Sequence, residues 1–114
     1  MDLTRFRSKP SYYLGGWDPN TLAISDDLSK EIKQAFDNVE LNLRDAGVAA
    51  GWKGVFRVNS YHVVLDESVM GTMIGLLKER CPDHCPIWTC VGVPKLVLPE
   101  MRVEIEVVAF DEKK

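Results

Sequence analysis

The sequence predicts an α+β domain with two helices packed on one face of a mixed β-sheet. Three observations lead there. Apolar residues recur at three- and four-residue steps in two segments, β-branched and aromatic residues gather or alternate in three others, and the segments follow in the order helix, strand, helix, strand, strand. At 114 residues, with no Gly/Ser-rich or Pro-rich linker, the chain is expected to form one domain, residues 1–114, around one core.

Residues 1–24 show no period and are punctuated by Pro10, Gly15, Gly16, Pro19 and Asn20, so they read as mostly irregular backbone. Ser25 stands where it could cap a first helix, with Asp26 and Asp27 adding negative charge at the positive end of its dipole. Leu28, Ile32, Ala35, Phe36, Val39, Leu43 and Ala46 form one apolar stripe, and Gly47 supplies a stop. Residues 55–64 are rich in β-branched and aromatic side chains and too short for another good helix, which predicts a strand. Its alternation puts Phe56, Val58, Ser60, His62 and Val64 on one face and Val55, Arg57, Asn59, Tyr61 and Val63 on the other.

Asp66 caps a second helix carrying Val69, Met70, Met73, Ile74 and Leu77, with Lys78 and Arg80 in the last turn and Pro82 beyond it. Residues 87–93 and 102–110 are two further strands, separated by Pro94 and Pro99. On the last one Val103, Ile105 and Val107 belong under the helices, while Arg102, Glu104, Glu106 and Val108 point away. Two helices cover one face of such a sheet. The other face mixes aromatics and valines with carboxylates, too apolar for ordinary solvated surface, and is expected to meet another copy of the chain.

A formal net charge of −3 offers no long-range attraction to phosphate backbones or anionic lipid, so neither nucleic acid nor a membrane is expected as a partner. No apolar run approaches the roughly 20 residues of a membrane span. Three cysteines, Cys81, Cys85 and Cys90, with no charged-then-apolar leader before them, point to a reducing compartment and a cytoplasmic location. Cys81, His84 and Cys85 are close together, but their spacing matches no structural zinc pattern, and no metal is expected. The chain has no Gly-x-Ser-x-Gly elbow, phosphate loop or dinucleotide fingerprint, so no cofactor is expected either.

Several stretches together resemble the Rid family of reactive-intermediate imine deaminases, also called the YjgF family. They are Gly15-Gly16-Trp17-Asp18-Pro19, Ala35-Phe36-Asp37-Asn38-Val39, Arg57-Val58-Asn59-Ser60-Tyr61, Pro86, Cys90-Val91-Gly92-Val93 and the closing Val103-Glu104-Ile105-Glu106. The resemblance implies a chorismate-mutase-like fold assembled as a homotrimer, with small-molecule pockets between subunits. It also implies that Glu104 is the catalytic glutamate that positions the water attacking an imine carbon. In the active branch of the family, an arginine after the strand-opening proline clamps the substrate carboxylate. Aligning Pro86 and Cys90 with the family puts Trp88 at that position, so the clamp is absent here. Residues 1–14 also show neither the pair of strands nor the Ser-Gly-Gln-like segment that usually open such chains.

Indole offers one neutral donor where guanidinium offers two parallel charge-assisted hydrogen bonds, so a less acidic or aromatic ligand suits Trp88 better. The expected ligand contacts are Trp88, Cys90, Tyr61, Arg57, Gly16 and Trp17. Tyr61 and His62 lie on opposite faces of one strand, and Tyr61, sharing its face with Arg57, is the one ranked beside Glu104. The expected activity is hydrolysis or tautomerisation of a small imine, enamine or enol-type metabolite. The alternatives are a non-catalytic ligand-binding or partner-binding trimer and, against the acidic balance, an endoribonuclease.

Overall fold

The structure, a computed structural model, describes residues 6–8 and 12–112. Five strands and two helices follow one another as β1 (Phe6–Ser8), β2 (Tyr12–Gly15), α1 (Leu28–Asp45), β3 (Val55–His62), α2 (Glu67–Arg80), β4 (Ile87–Gly92) and β5 (Val103–Glu112). A short 3₁₀ turn, Gly51–Gly54, leads into β3. The sheet runs β1-β5-β3-β4, and β2 also pairs with β5. Among the described strands only β3 and β4 are parallel, joined by α2 as the crossover, so the sheet is mixed and of the expected α+β class.

Residues 1–24 nonetheless contain two short strands. β1 pairs antiparallel with the far end of β5, Phe6 opposite Glu112, and β2 with its near end, Gly15 opposite Glu104. The pair of opening strands expected to be missing is therefore present. Strands of three and four residues on either side of Pro10 are too short to show an alternation. Their stability comes from the ladder to β5, which no local pattern reveals.

Both helices begin and end as their chemistry requires, with one correction. Asp27, not Ser25, caps α1: its carboxylate accepts from the main-chain N–H of Ser29 at 3.0 Å and of Lys30 at 3.3 Å. The Ser25 hydroxyl instead accepts from Asp27 N at 3.1 Å, shaping the turn before the helix. At the other end Val48 N donates to Leu43 O and Gly47 N to Arg44 O, a Schellman ending, with Gly47 at φ 92°. Asp66 caps α2 by accepting from Val69 N at 2.9 Å.

The core lies between the helices and the sheet. Ile32, Ala35, Phe36, Val39 and Leu43 of α1 and Val69, Met73 and Leu77 of α2 are buried against Val103, Ile105, Val107 and Ala109 of β5. Trp52, from the 3₁₀ turn, stacks on Phe36 at 4.7 Å and donates its ring N–H to the Phe36 carbonyl at 2.9 Å. A register shift between Val55 and Arg57 alters the predicted faces of β3. This bulge turns Val55 inward beside Val58 and leaves Phe56 half-buried, stacked on Phe110 at 4.4 Å.

One buried ion pair closes the seam between α1 and β5. Glu31 is fully buried and accepts from Arg102 Nε and from Arg102 N, both at 2.8 Å. Arg102 Nη2 donates to the carbonyls of Ser25 and Asp26. Arg102 was expected on the outward face with Glu104. It turns back to α1 because it stands just ahead of β5, where it can satisfy a carboxylate that burial would otherwise leave unpaired.

Candidate functional site

The face of the sheet away from the helices is built by alternation on β3 and β5. Tyr61 stands opposite Glu104, Asn59 opposite Glu106 and Arg57 opposite Val108. All but Arg57, which is exposed, are half-buried. Asn59 Nδ2 donates to Glu106 Oε1 at 2.8 Å. Tyr61 is also the diagonal neighbour of Glu106. On the other side of β5, Glu104 faces Gly15. The Trp17 ring and the Met101 methyl fill the space that a side chain at Gly15 would take, so Trp17 borders the same rung.

The electrostatics single out Glu104. Partial burial pushes its carboxyl above the usual range for a glutamate, and the neighbouring Glu106 charge adds to the effect. Tyr61 is likewise pushed up, first by burial and then by the two carboxylates. A carboxyl beside a phenol is a group that can take a proton from water and return it.

The other expected contacts do not join this cluster within one chain. Trp88 stands opposite Val58 and Cys90 opposite Ser60, so both face the helices. Trp88 Nε1 donates to the buried Ser60 hydroxyl at 2.9 Å, which engages the one donor its indole could offer a ligand. Cys90 Sγ lies 3.6 Å from Met70 Sδ on α2, and burial pushes its thiol up. Gly16 is buried where the chain crosses α1: a β-carbon there would strike the Glu31 main-chain carbonyl. Its main chain there lines a cleft with Asp18, Ser25 and Gln34, apart from Glu104.

His62 also faces the core, 1% exposed, with Nε2 at 2.9 Å from Ser60 Oγ, and burial lowers its pKa. Cys81, His84 and Cys85 line an apolar cleft of about 190 Å³ beside Trp88. His84 Nε2 donates to Val55 O at 2.6 Å, and burial pushes the Cys81 thiol up to about 11. Among the described residues no three His, Cys, Asp or Glu side chains gather as metal ligands. No described helix is long and apolar enough to cross a membrane.

Asn59 was not singled out from the sequence as a site residue, although alternation already placed it on the Tyr61 face. What could not be read locally is that it lands opposite Glu106, because that depends on the register of two strands 47 positions apart. Residues 12–111 match the family model described as Endoribonuclease L-PSP.

The chain belongs to the YjgF/Rid family.

A Rid-family protein from Yersinia pestis shares its fold with TM-score 0.74 and 26% identity, over 90% of this chain and 79% of the other. Yeast Mmf1 gives TM-score 0.75 at 21% identity, over 95% and 81% of the two chains. A Mycobacterium tuberculosis protein of the YjgF/YER057c/UK114 family gives 0.70 at 23%, over 93% and 79%. No curated protein matches the sequence.

Proposed function

We propose that this Rid-family chain forms a single-domain cytoplasmic homotrimer that binds a small imine, enamine or enol-type metabolite between subunits and hydrolyses or tautomerises it with Glu104. The observation that carries this reading is the half-buried Glu104 carboxyl opposite Tyr61, with its proton affinity raised by burial and by Glu106. The outward face of β4 supports a contact between copies, since Ile87 is 61% and Val91 39% exposed beside the half-buried Val108 of β5. Trp88 and Cys90 lie on the opposite side of the sheet from Glu104, so a pocket using both sets draws them from different subunits.

In hydrolysis Glu104 takes a proton from the water as it attacks the imine carbon, then delivers it to the departing nitrogen. Tyr61 orients the water or the nitrogen. Glu104→Gln keeps the shape and removes the proton acceptor. It should abolish imine hydrolysis while leaving the mass of the assembly, measured by light scattering, unchanged. Unchanged turnover would refute the catalytic role. An assembly that binds an apolar acid saturably in a calorimeter but accelerates no imine decay would favour the non-catalytic trimer.

The family description favours a second reading, cleavage of RNA. It meets a chain of net charge −3 whose outward face presents two carboxylates, a poor surface for phosphates. Filter binding to single-stranded RNA at moderate salt should show no retention, and saturable retention would revive it.

A further inference from the structure

Two cysteines that the imine chemistry does not use share one cleft. Cys81 ends α2, its main-chain N–H donating to Leu77 O at 2.9 Å, and Cys85 stands just ahead of Pro86 and β4. Between them Pro82 and Asp83 form a turn, and His84 pins it by donating to Val55 O at 2.6 Å. Both cysteines thereby line the same apolar cleft of about 190 Å³, with Leu77 and Trp88 among its other walls. Their surroundings differ. Cys81 is 4% exposed and its thiol donates weakly to Trp52 O at 3.5 Å, whereas Cys85 is exposed. The two sulfurs feel each other, because charge on Cys85 adds to the burial that pushes the Cys81 thiol up. Cys90 is engaged elsewhere, with its Sγ 3.6 Å from Met70 Sδ.

We propose that Cys81 and Cys85 are a redox pair that hydrogen peroxide closes into an intrachain disulfide across this cleft. The exposed Cys85, as thiolate, attacks the O–O bond, becoming a sulfenic acid as hydroxide leaves. Cys81 then attacks the Cys85 sulfur: the S–S bond forms, the S–O bond breaks, and the departing hydroxide takes up the Cys81 proton as water. In sum two thiols and one hydrogen peroxide give one disulfide and two waters, the sulfurs losing the two electrons that the peroxide gains. Burial keeps Cys81 protonated and away from outside reagents, so Cys85 meets the oxidant and Cys81 resolves it. In closing, Cys81 gives up only its long contact to Trp52 O. A loop this short gains little from closure, and one sulfur is exposed, so the bond is readily reduced by cytosolic thiols. It ties the end of α2 to the entrance of β4 beside Trp88.

The test treats the reduced full-length chain with equimolar hydrogen peroxide, then denatures it in N-ethylmaleimide to mark every remaining thiol. Trypsin cuts after Arg80 and Lys95, releasing residues 81–95 with all three cysteines on one peptide. That peptide should lack two hydrogens and carry one maleimide, which fragmentation places on Cys90. Dithiothreitol added before the maleimide should restore three maleimides. Cys85→Ser changes an exposed side chain, and it should abolish the loss of hydrogens. Three maleimides after peroxide, a bond through Cys90 or a bond between two chains would each overturn the pair. So would Cys85 oxidised to the sulfinic acid while Cys81 still takes maleimide.

Discussion

On β5 the residues Val103, Ile105, Val107 and Ala109 have no exposed surface, whereas Glu104, Glu106 and Val108, each one position away, are only half-buried. The inward face meets α1 and α2 and is filled on β5 by aliphatic side chains, with Ser60 and His62 of β3 buried beside them and hydrogen-bonded to each other. The outward face carries carboxyls, an amide and a phenol, with Asn59 donating to Glu106 across the strands. One face therefore supplies stability and the other presents the polar groups on which the proposed chemistry rests, and the two-residue period of the strand keeps them apart. Substitutions on the two faces should fail in different ways.

The largest effect on folding belongs to the inward side. Phe36 is wholly buried and stacked on Trp52, so Phe36→Ala should destabilise the fold by about 3–5 kcal/mol. A urea midpoint close to that of the parent protein would show that α1 does not anchor this core.

Between the faces lies the Glu31–Arg102 pair. Arg102→Ala leaves the fully buried Glu31 carboxylate with no cation beside it, at a cost of about 3 kcal/mol. Pairing it with Glu31→Gln should recover most of that loss, because the stranded charge is then gone. Failure of the double variant to recover would mean that the packing of Arg102, not its charge, holds the seam.

The smallest effect is expected on the outward face. The folded chain holds the Glu104 proton more tightly than the unfolded chain, because burial and Glu106 raise its pKa. Between the unfolded value and the raised folded value, the native state binds more protons. Stability attributable to this group therefore falls as pH rises through that window, and it stays lower above it. Glu104→Gln should thus be equal to or slightly more stable than the parent at neutral pH, by less than about 1 kcal/mol because water screens a half-exposed group. The difference should shrink in acid. Marked destabilisation at neutral pH would mean that Glu104 is a structural member of the sheet.

Much of this division was legible in the sequence. Alternation on β5, the apolar stripe of α1 and the caps Asp66 and Gly47 all follow from local spacing, and the structure carries them through. Three features depend on partners distant in the chain. β1 and β2 exist through their ladder to β5, the bulge at the start of β3 is set by that strand's pairing, and Arg102 turns to a glutamate 71 positions earlier. The candidate site divides in the same way. Tyr61 and Glu104 share a face by simple period, while Trp88 and Cys90 fall on the other side of the sheet because β4 pairs with β3 in the register that sets Trp88 opposite the inward-facing Val58.

The central claim is that the outward carboxyl does chemistry and the fold does not depend on it. The direct measurement is the initial rate of carbonyl release from a freshly generated imine, compared for the parent protein and Glu104→Gln at matched assembly mass. The account expects at least a hundredfold loss of rate with unchanged mass and urea midpoint. A variant that hydrolyses the imine as fast as the parent, or one that no longer assembles, would contradict it.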